Sequence, residues 1–504
     1  MLFNSLEFIF LFLPVVVFAH FTLARWSMDA AVLGTAIASL VFYAWWNPPF
    51  VALPIASILI NFQIACWISA AESAASRRWL IAGILGNLLV LCYFKYADFL
   101  VSIVDGHKPV APNVPLALSF TTFVQIAFLV EVHRRRINMR FGRYALFVAF
   151  FPHLIAGPIV RWSNLGRQLD DPARYRVNWD NIALGLTIFT FGLVKKVLLA
   201  DQLSRHVAGV FNAASAGGPI TTFGAWGASF AFAAQIYFDF SGYSDMAVGL
   251  GLLFNFRLPI NFAAPLRSTN LFDFWRRWHI TLIRFLRDFV YYPLAAGRPG
   301  PLRRSAALMA TMVLAGLWHG AAWTFVLWGA FHGMLLLLTM LWQTWRGPAR
   351  PNAAARFFGW AFTISAFALS AAFFRANDIE GSWRLLQALA GFGDQTALLG
   401  HSKFDDWMIV HGYIPDALAN AWFGPTWSMA GTLMTVVALA VAVLVPDTME
   451  IVDYREADAQ SNWRRPIGVF GWRPSPVWLP LVAAMFVVVF INLGRVSEFL
   501  YYQF

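Results

Sequence analysis

The chain alternates long apolar runs with short polar joints from end to end. The runs fall at 6–24, 30–46, 50–70, 79–103, 116–132, 179–199, 221–256, 305–319, 322–345, 357–374, 429–446 and 477–494. Each reads as a helix, because the apolar stretch far exceeds the length of a strand. A helix crosses a bilayer core in about 20 residues, and most of these runs reach or approach that length. One more stretch, 144–160, fits either a full span or a re-entrant segment. No heptads, long repeats or low-complexity tracts interrupt the pattern. It predicts an all-α polytopic membrane protein with about 11–12 transmembrane helices, forming a single integral membrane domain over 1–504.

Composition points the same way. Of 504 residues, 59% are hydrophobic and 12% charged, against about 25% charged in a typical soluble domain. The net charge of +11 raises a nucleic-acid partner, but the basic residues sit between apolar runs, as at Arg77-Arg78, Arg134-Arg135-Arg136 and Arg464-Arg465. That is the pattern of cytoplasmic loops, not of a nucleic-acid surface. Nothing basic precedes the first run, so it reads as a retained span rather than a cleaved leader. With the basic loops in the cytoplasm, both termini lie outside. Segment 257–304 is then cytoplasmic, and 376–428 is the sizeable extracytoplasmic loop. Lys195-Lys196 resist this scheme, because they fall near the end of a span that leads outward. If 144–160 crosses fully they move inside, but Arg161, Arg167, Arg174 and Arg176 move out. Cys66 and Cys92 lie in apolar runs and read as packing residues, with no disulfide framework or zinc spacing.

Candidate chemistry begins at residues 271–290, LFDFWRRWHITLIRFLRDFV. Plotted as one helix with Arg276 at zero, Arg287, Arg284 and Arg277 fall at about 20°, 80° and 100°, and Trp275, Trp278, Leu282, Ile283, Phe285, Leu286 and Phe289 fill the opposite arc. His279 falls at about 300°, among the apolar side chains. The basic face fits lipid phosphates at the membrane surface or a phosphorylated donor, which guanidinium groups bind bidentately. A second histidine, His319, stands in VLAGLWHGAAWTFVLWGAFHG with small residues a turn to either side. The run from Ala306 to Trp318 measures about 20 Å as a helix, which puts His319 deep in the bilayer. Ionisable groups there are functional candidates by default. Asp239, Ser241, Tyr243, Ser244 and Asp245 form a polar group in an apolar setting. They either line a tunnel or satisfy a helix broken at Gly242. His332 reads as a packing residue hydrogen-bonded to a neighbour.

The wording around these residues resembles the membrane-bound O-acyltransferase family, in its bacterial alginate O-acetyltransferase branch. The segments that carry the likeness are the opening MLFNSLEFIFLFLPV, YAWWNP (43–48), YFKYADF (93–99), FFPHLIAGPIVR (150–161), QIYFDFSGYSDMAVGLG (235–251), FWRRWHITL (274–282), GLWHGAAWTFVLWGAFHG (316–333) and SEFLYYQF (497–504). They occur in order over essentially the whole chain; one departure is His133, where relatives often carry Tyr. The resemblance implies a ring of helices around a transmembrane tunnel, with His319 as the invariant histidine and His279 as the second functional position. It also implies an extracytoplasmic partner acetyltransferase and polysaccharide synthesis or export proteins, in a bacterial inner membrane.

Acyl transfer from a thioester to a hydroxyl needs a base, positioning and stabilisation of the developing oxyanion. On this reading His319 is the base, and His279 orients the thioester or hydrogen-bonds its carbonyl. Arg276, Arg277, Arg284 and Arg287 bind the phosphates of the donor, acetyl-CoA as co-substrate. Asp239, Ser241, Tyr243 and Trp318 line the tunnel. No metal and no bound cofactor are required. Four aromatics crowd the last six residues, and Tyr501 is a candidate acyl relay, with Tyr502 an alternative. The competing classes are a polytopic transporter, which inverted repeats between the halves would support although none is found, and a non-catalytic scaffold subunit of a polysaccharide export complex.

Overall fold

The computed structural model describes residues 1–46, 48–106, 114–135, 137, 139–297, 300–347, 351–394, 426–454, 471–493 and 500. Helices dominate it, with no strand among the described residues. Among those residues, six helices are long and apolar enough to cross a membrane: Pro48–Ala70, Ser73–Asp105, Trp179–Ala216, Trp323–Arg346, Ala353–Phe374 and Met429–Ile451. Phe8–Ala24, Met28–Ala44 and Trp478–Asn492 are shorter apolar helices. Leu118–Arg135, Thr222–Leu253 and Pro301–His319 match the remaining three predicted runs. Thr222–Leu253, at 32 residues, is the longest single α-helix. Its row of Gln235, Asp239, Ser241, Ser244 and Asp245 is buried within the protein rather than turned to lipid.

Contacts divide the chain into two compact units. The first comprises Met1–Val194, Gly242–Asn261 and Thr448–Gln503. Within it, Ser27 caps Met28–Ala44 by accepting from the Ala30 amide, and Asn178 caps Trp179–Leu193 through the Asn181 amide. The latter helix packs backbone to backbone on the Gly242–Leu253 stretch. A Cβ at Gly192 would lie 2.5 Å from the Gly242 carbonyl oxygen, and one at Gly185 2.7 Å from that of Gly249. Gly242 is therefore a site of close approach within an unbroken helix, not the helix break that the sequence allowed. The 144–160 stretch also resolves. It forms Phe141–Ala149 and Phe151–Leu154, bent at Phe150, and then leaves helical geometry. Nine residues of helix span about 13 Å, so this segment does not cross a bilayer as one helix. Cys92 is exposed on its helix, contrary to the packing role expected of it, while Cys66 is half-buried.

The second unit comprises Lys195–Ser241 and Phe262–Asp447. Its centre is the helical hairpin of Pro301–His319 and Trp323–Arg346, flanked by Ala353–Phe374 and Ile379–Gln387. Lys195 and Lys196 lie mid-way along the helical stretch Trp179–Ala216, in a wide π-helical turn over Val194–Ala200. Lys195 Nζ bonds Asp447 Oδ1 at 3.0 Å, and Lys196 Nζ lies 2.7 Å from Oδ1 of both Asp201 and Asp239. Lys196 is buried and Lys195 half-buried; both are paired helix charges rather than loop residues, so they carry no weight in the loop-charge count that they seemed to upset.

Candidate active site

His319 is the last residue of Pro301–His319, and Gly320 leaves the helix in an extended conformation. The next helix, Trp323–Arg346, returns antiparallel at close range. A Cβ at Gly333 would fall 2.7 Å from Met309 Sδ, and one at Gly316 or Gly329 would strike the facing backbone at Phe325 or Met312. Small residues at such positions let helices approach closely. This approach seats the His319 ring among Trp328 at 5.2 Å, Phe374 at 5.0 Å and its neighbour Trp318 at 4.9 Å. His319 is 6% exposed.

His279 reaches the same cluster by a route the helical wheel did not foresee. The predicted helix over 271–290 is two helices, Leu271–Arg277 and Ile280–Leu286, separated by an extended Trp278 and by His279 at φ 43°, ψ 52°. The first helix stops because Asn270 and the Trp278 amide cap its two ends, while Trp278 is drawn into a cluster with Phe262 at 5.1 Å and Phe367 at 4.9 Å. The left-handed conformation at a non-glycine residue costs of order 1–3 kcal/mol, and such strain gathers at functional sites. The break resets the wheel and makes His279 the residue at the start of the second helix. Its ring is buried against Phe240 at 4.7 Å and Trp318 at 5.7 Å. His279 lies in the connection between Thr222–Leu253 and Pro301–His319. Burial there pushes its imidazole well below the ordinary histidine value, which keeps it neutral.

The four arginines do not form one stripe. Arg277 is committed to the fold: its Nε bonds Asp273 Oδ2 at 3.0 Å, and its side chain reaches the Ala263 carbonyl. Arg276 is largely exposed, with a long 3.8 Å contact to Asp273. Arg287 is half-exposed, bonded to Asp288 at 2.8 Å and set over the Tyr292 ring. Arg284 is half-buried. Among the predicted polar residues, Asp239 is held by Lys196, and Ser241 is fully buried. Tyr243 belongs to the first unit, stacked on Phe3 at 4.8 Å. Within the second unit the structure therefore gathers His319, His279 and Trp318, with Asp239 one residue along the chain from the Phe240 that touches His279. Tyr501 and Tyr502 lie outside the described residues.

Sequence reasoning passed over Lys196, Trp328 and Trp275. The signal for Lys196 was its spacing of five from Asp201, which a π-helical turn places on one face. His332 lacks, among the described residues, the hydrogen-bonding neighbour expected of it, since neither ring nitrogen has a partner there. Among the described residues, no group of three or more His, Cys, Asp or Glu is placed to hold a metal ion. Two buried imidazoles bridged by an indole can accept and return a proton and donate a hydrogen bond, the equipment of acyl transfer.

Residues 119–374 match the membrane-bound O-acyltransferase family. The chain is 37% identical to the peptidoglycan O-acetyltransferase of Helicobacter pylori, in an alignment covering 78% of this chain and 80% of that one. It is 38% identical to the probable alginate O-acetylase AlgI of Pseudomonas aeruginosa, covering 78% and 75%. To the teichoic acid D-alanyltransferase of Bacillus subtilis it is 22% identical, covering 58% and 76%. The chain belongs to the membrane-bound O-acyltransferase family. It is a multi-pass membrane protein and an O-acyltransferase, which removes the transporter and scaffold alternatives.

Proposed function

We propose that this enzyme moves an acetyl group from a cytoplasmic thioester donor, acetyl-CoA, across the bacterial inner membrane for O-acetylation of an exported polysaccharide such as alginate. The observation that carries this reading is the buried pair His279 and His319, both in ring contact with Trp318. His319 takes the proton of the attacking hydroxyl, and the oxygen bonds to the thioester carbonyl carbon. His279 hydrogen-bonds the carbonyl oxygen as negative charge develops on it. The C–S bond then breaks, and the leaving thiolate receives the proton. Arg276 and Arg287, the more exposed guanidiniums of the segments on either side of His279 in the chain, suit the donor phosphates.

Relatives named for acetylation of peptidoglycan and alginate support a glycan acceptor. On that reading the acetyl group passes to an extracytoplasmic partner acetyltransferase that works with the polysaccharide synthesis or export proteins. Both termini face outward, and Tyr501 is the candidate relay. The test uses purified protein in lipid nanodiscs with acetyl-labelled acetyl-CoA, the partner acetyltransferase and the polymer. Release of free CoA with label on the polymer supports the reading. Transfer from a D-alanyl thioester with none from acetyl-CoA would replace the donor.

A further inference from the structure

His332 is the imidazole of this site that the acyl-transfer reading leaves unused. It sits in Trp323–Arg346 with no exposed surface, and among the described residues neither Nδ1 nor Nε2 meets a hydrogen-bond partner. Trp275 lies edge-to-face against it at 5.1 Å and Trp328 at 4.7 Å. The Trp275 indole is 7% exposed, and its Nε1–H also lacks a partner. Buried polar atoms are rarely left so, and unmet ones point to a functional role. A neutral imidazole carries one N–H donor and one nitrogen acceptor, and an indole one donor. The two touching rings therefore offer two donors and one acceptor.

Their position gives this set a direction. Trp275 precedes Arg276 and Arg277 in Leu271–Arg277, whereas Trp328 touches Trp275 at 5.7 Å, His332 at 4.7 Å and His319 at 5.2 Å. The unmet atoms thus lie one ring away from His319 and one residue away from the arginines.

We infer that His332 and Trp275 form a subsite for a secondary amide on the arm that carries the acyl thioester. Such an amide presents one N–H and a carbonyl oxygen with two lone pairs. The imidazole N–H and the indole N–H donate to the two lone pairs of its carbonyl oxygen, one bond from each ring. The pantetheine arm of CoA carries amides of this kind. The inference rests on the thioester-donor reading above, and it specifies how that donor is gripped between its phosphates and its reacting carbon.

The experiment compares acetyl-pantetheine with ethyl thioacetate, an amide-free thioester, as donors to the full-length protein in nanodiscs. Its readout is the ratio of the two kcat/KM values. In His332→Phe, which keeps ring volume and removes both nitrogens, this ratio falls about tenfold, the worth of one buried hydrogen bond. His332→Gln, with a donor and an acceptor, retains most of the ratio, and Trp275→Phe lowers it several-fold. An unchanged ratio in any folded His332→Phe or Trp275→Phe protein overturns the subsite, as does equal loss with both donors. If the wild type transfers from no thioester, acetyl-CoA included, the donor reading itself fails, and that result is distinct from a lost ratio.

Discussion

The His279 ring meets the Trp318 indole at 5.7 Å, and Trp318 is the chain neighbour of His319. Two histidines forty positions apart thereby share one aromatic wall. The wall depends on a helix end at His319 and a strained backbone at His279. Chemistry assigned to either histidine is therefore testable against the other.

On the proposed mechanism His319→Ala removes the base. Loss of a general base typically costs 10²–10⁴-fold, so polymer acetylation should fall by about that factor at matched membrane levels of protein. Near-normal acetylation would sink the assignment.

His279→Asn separates chemistry from backbone strain. Asparagine tolerates the left-handed conformation, so the protein should insert and melt normally while turnover drops by about 10²-fold, the loss expected for an oxyanion donor. If turnover survives and only the melting temperature changes, His279 is a structural residue.

The arginines divide into two groups. Arg276→Gln and Arg287→Gln should each weaken donor binding by about 1.5–3 kcal/mol, as charge-assisted contacts to phosphate do, read as a rise in the apparent KM for acetyl-CoA. Arg277→Gln should instead lower the melting temperature, because Asp273 and the Ala263 carbonyl lose their shared donor. An unchanged KM in the first two variants would reduce them to lipid anchors.

Span positions were legible in the sequence because apolar length is a local signal, and so was the burial of His279 and His319, each set among apolar residues. Helices Met429–Leu444 and Trp478–Asn492 fall within two residues of the predicted runs. The break at Trp278–His279 was not legible. The apolar and basic pattern continues across it, and the interruption arises from aromatic partners as distant as Phe367. Lys195 was misread for a similar reason, since its carboxylate partner Asp447 stands 252 residues away.

Lys196 supports a further prediction. It lies 2.7 Å from both Asp201 and Asp239, and all three are buried. Lys196→Met leaves two buried carboxylates without this cation, and breaking such a pair costs about 3–5 kcal/mol. Thermal unfolding in detergent should show the loss, and adding Asp201→Asn and Asp239→Asn should recover much of it. A single variant as stable as the wild type would mean that the ion pairs contribute nothing to stability.

The last prediction concerns the tail. Phe499, Tyr501, Tyr502 and Phe504 form an aromatic ending that resembles the branch's terminus, and Tyr502 stands where Phe is common. An interfacial anchor would need the rings alone, whereas an acyl relay needs a phenolic oxygen. Tyrosine, with a pKa of about 10, is a poor nucleophile unless a base takes its proton. A relay through Tyr501 therefore requires His319 within hydrogen-bond reach at the moment of transfer, with the acetyl ester formed on the phenol as the thiolate leaves. The rings are kept and the oxygen removed in Tyr501→Phe, with Tyr502→Phe as its control. Incubated with labelled acetyl-CoA, the partner acetyltransferase and polymer, Tyr501→Phe should lose polymer acetylation while Tyr502→Phe retains it. Loss with Tyr502→Phe alone would move the relay by one residue. Wild-type acetylation in the double variant would make the tail an anchor, with the acetyl group passing from donor to acceptor without a stop on tyrosine.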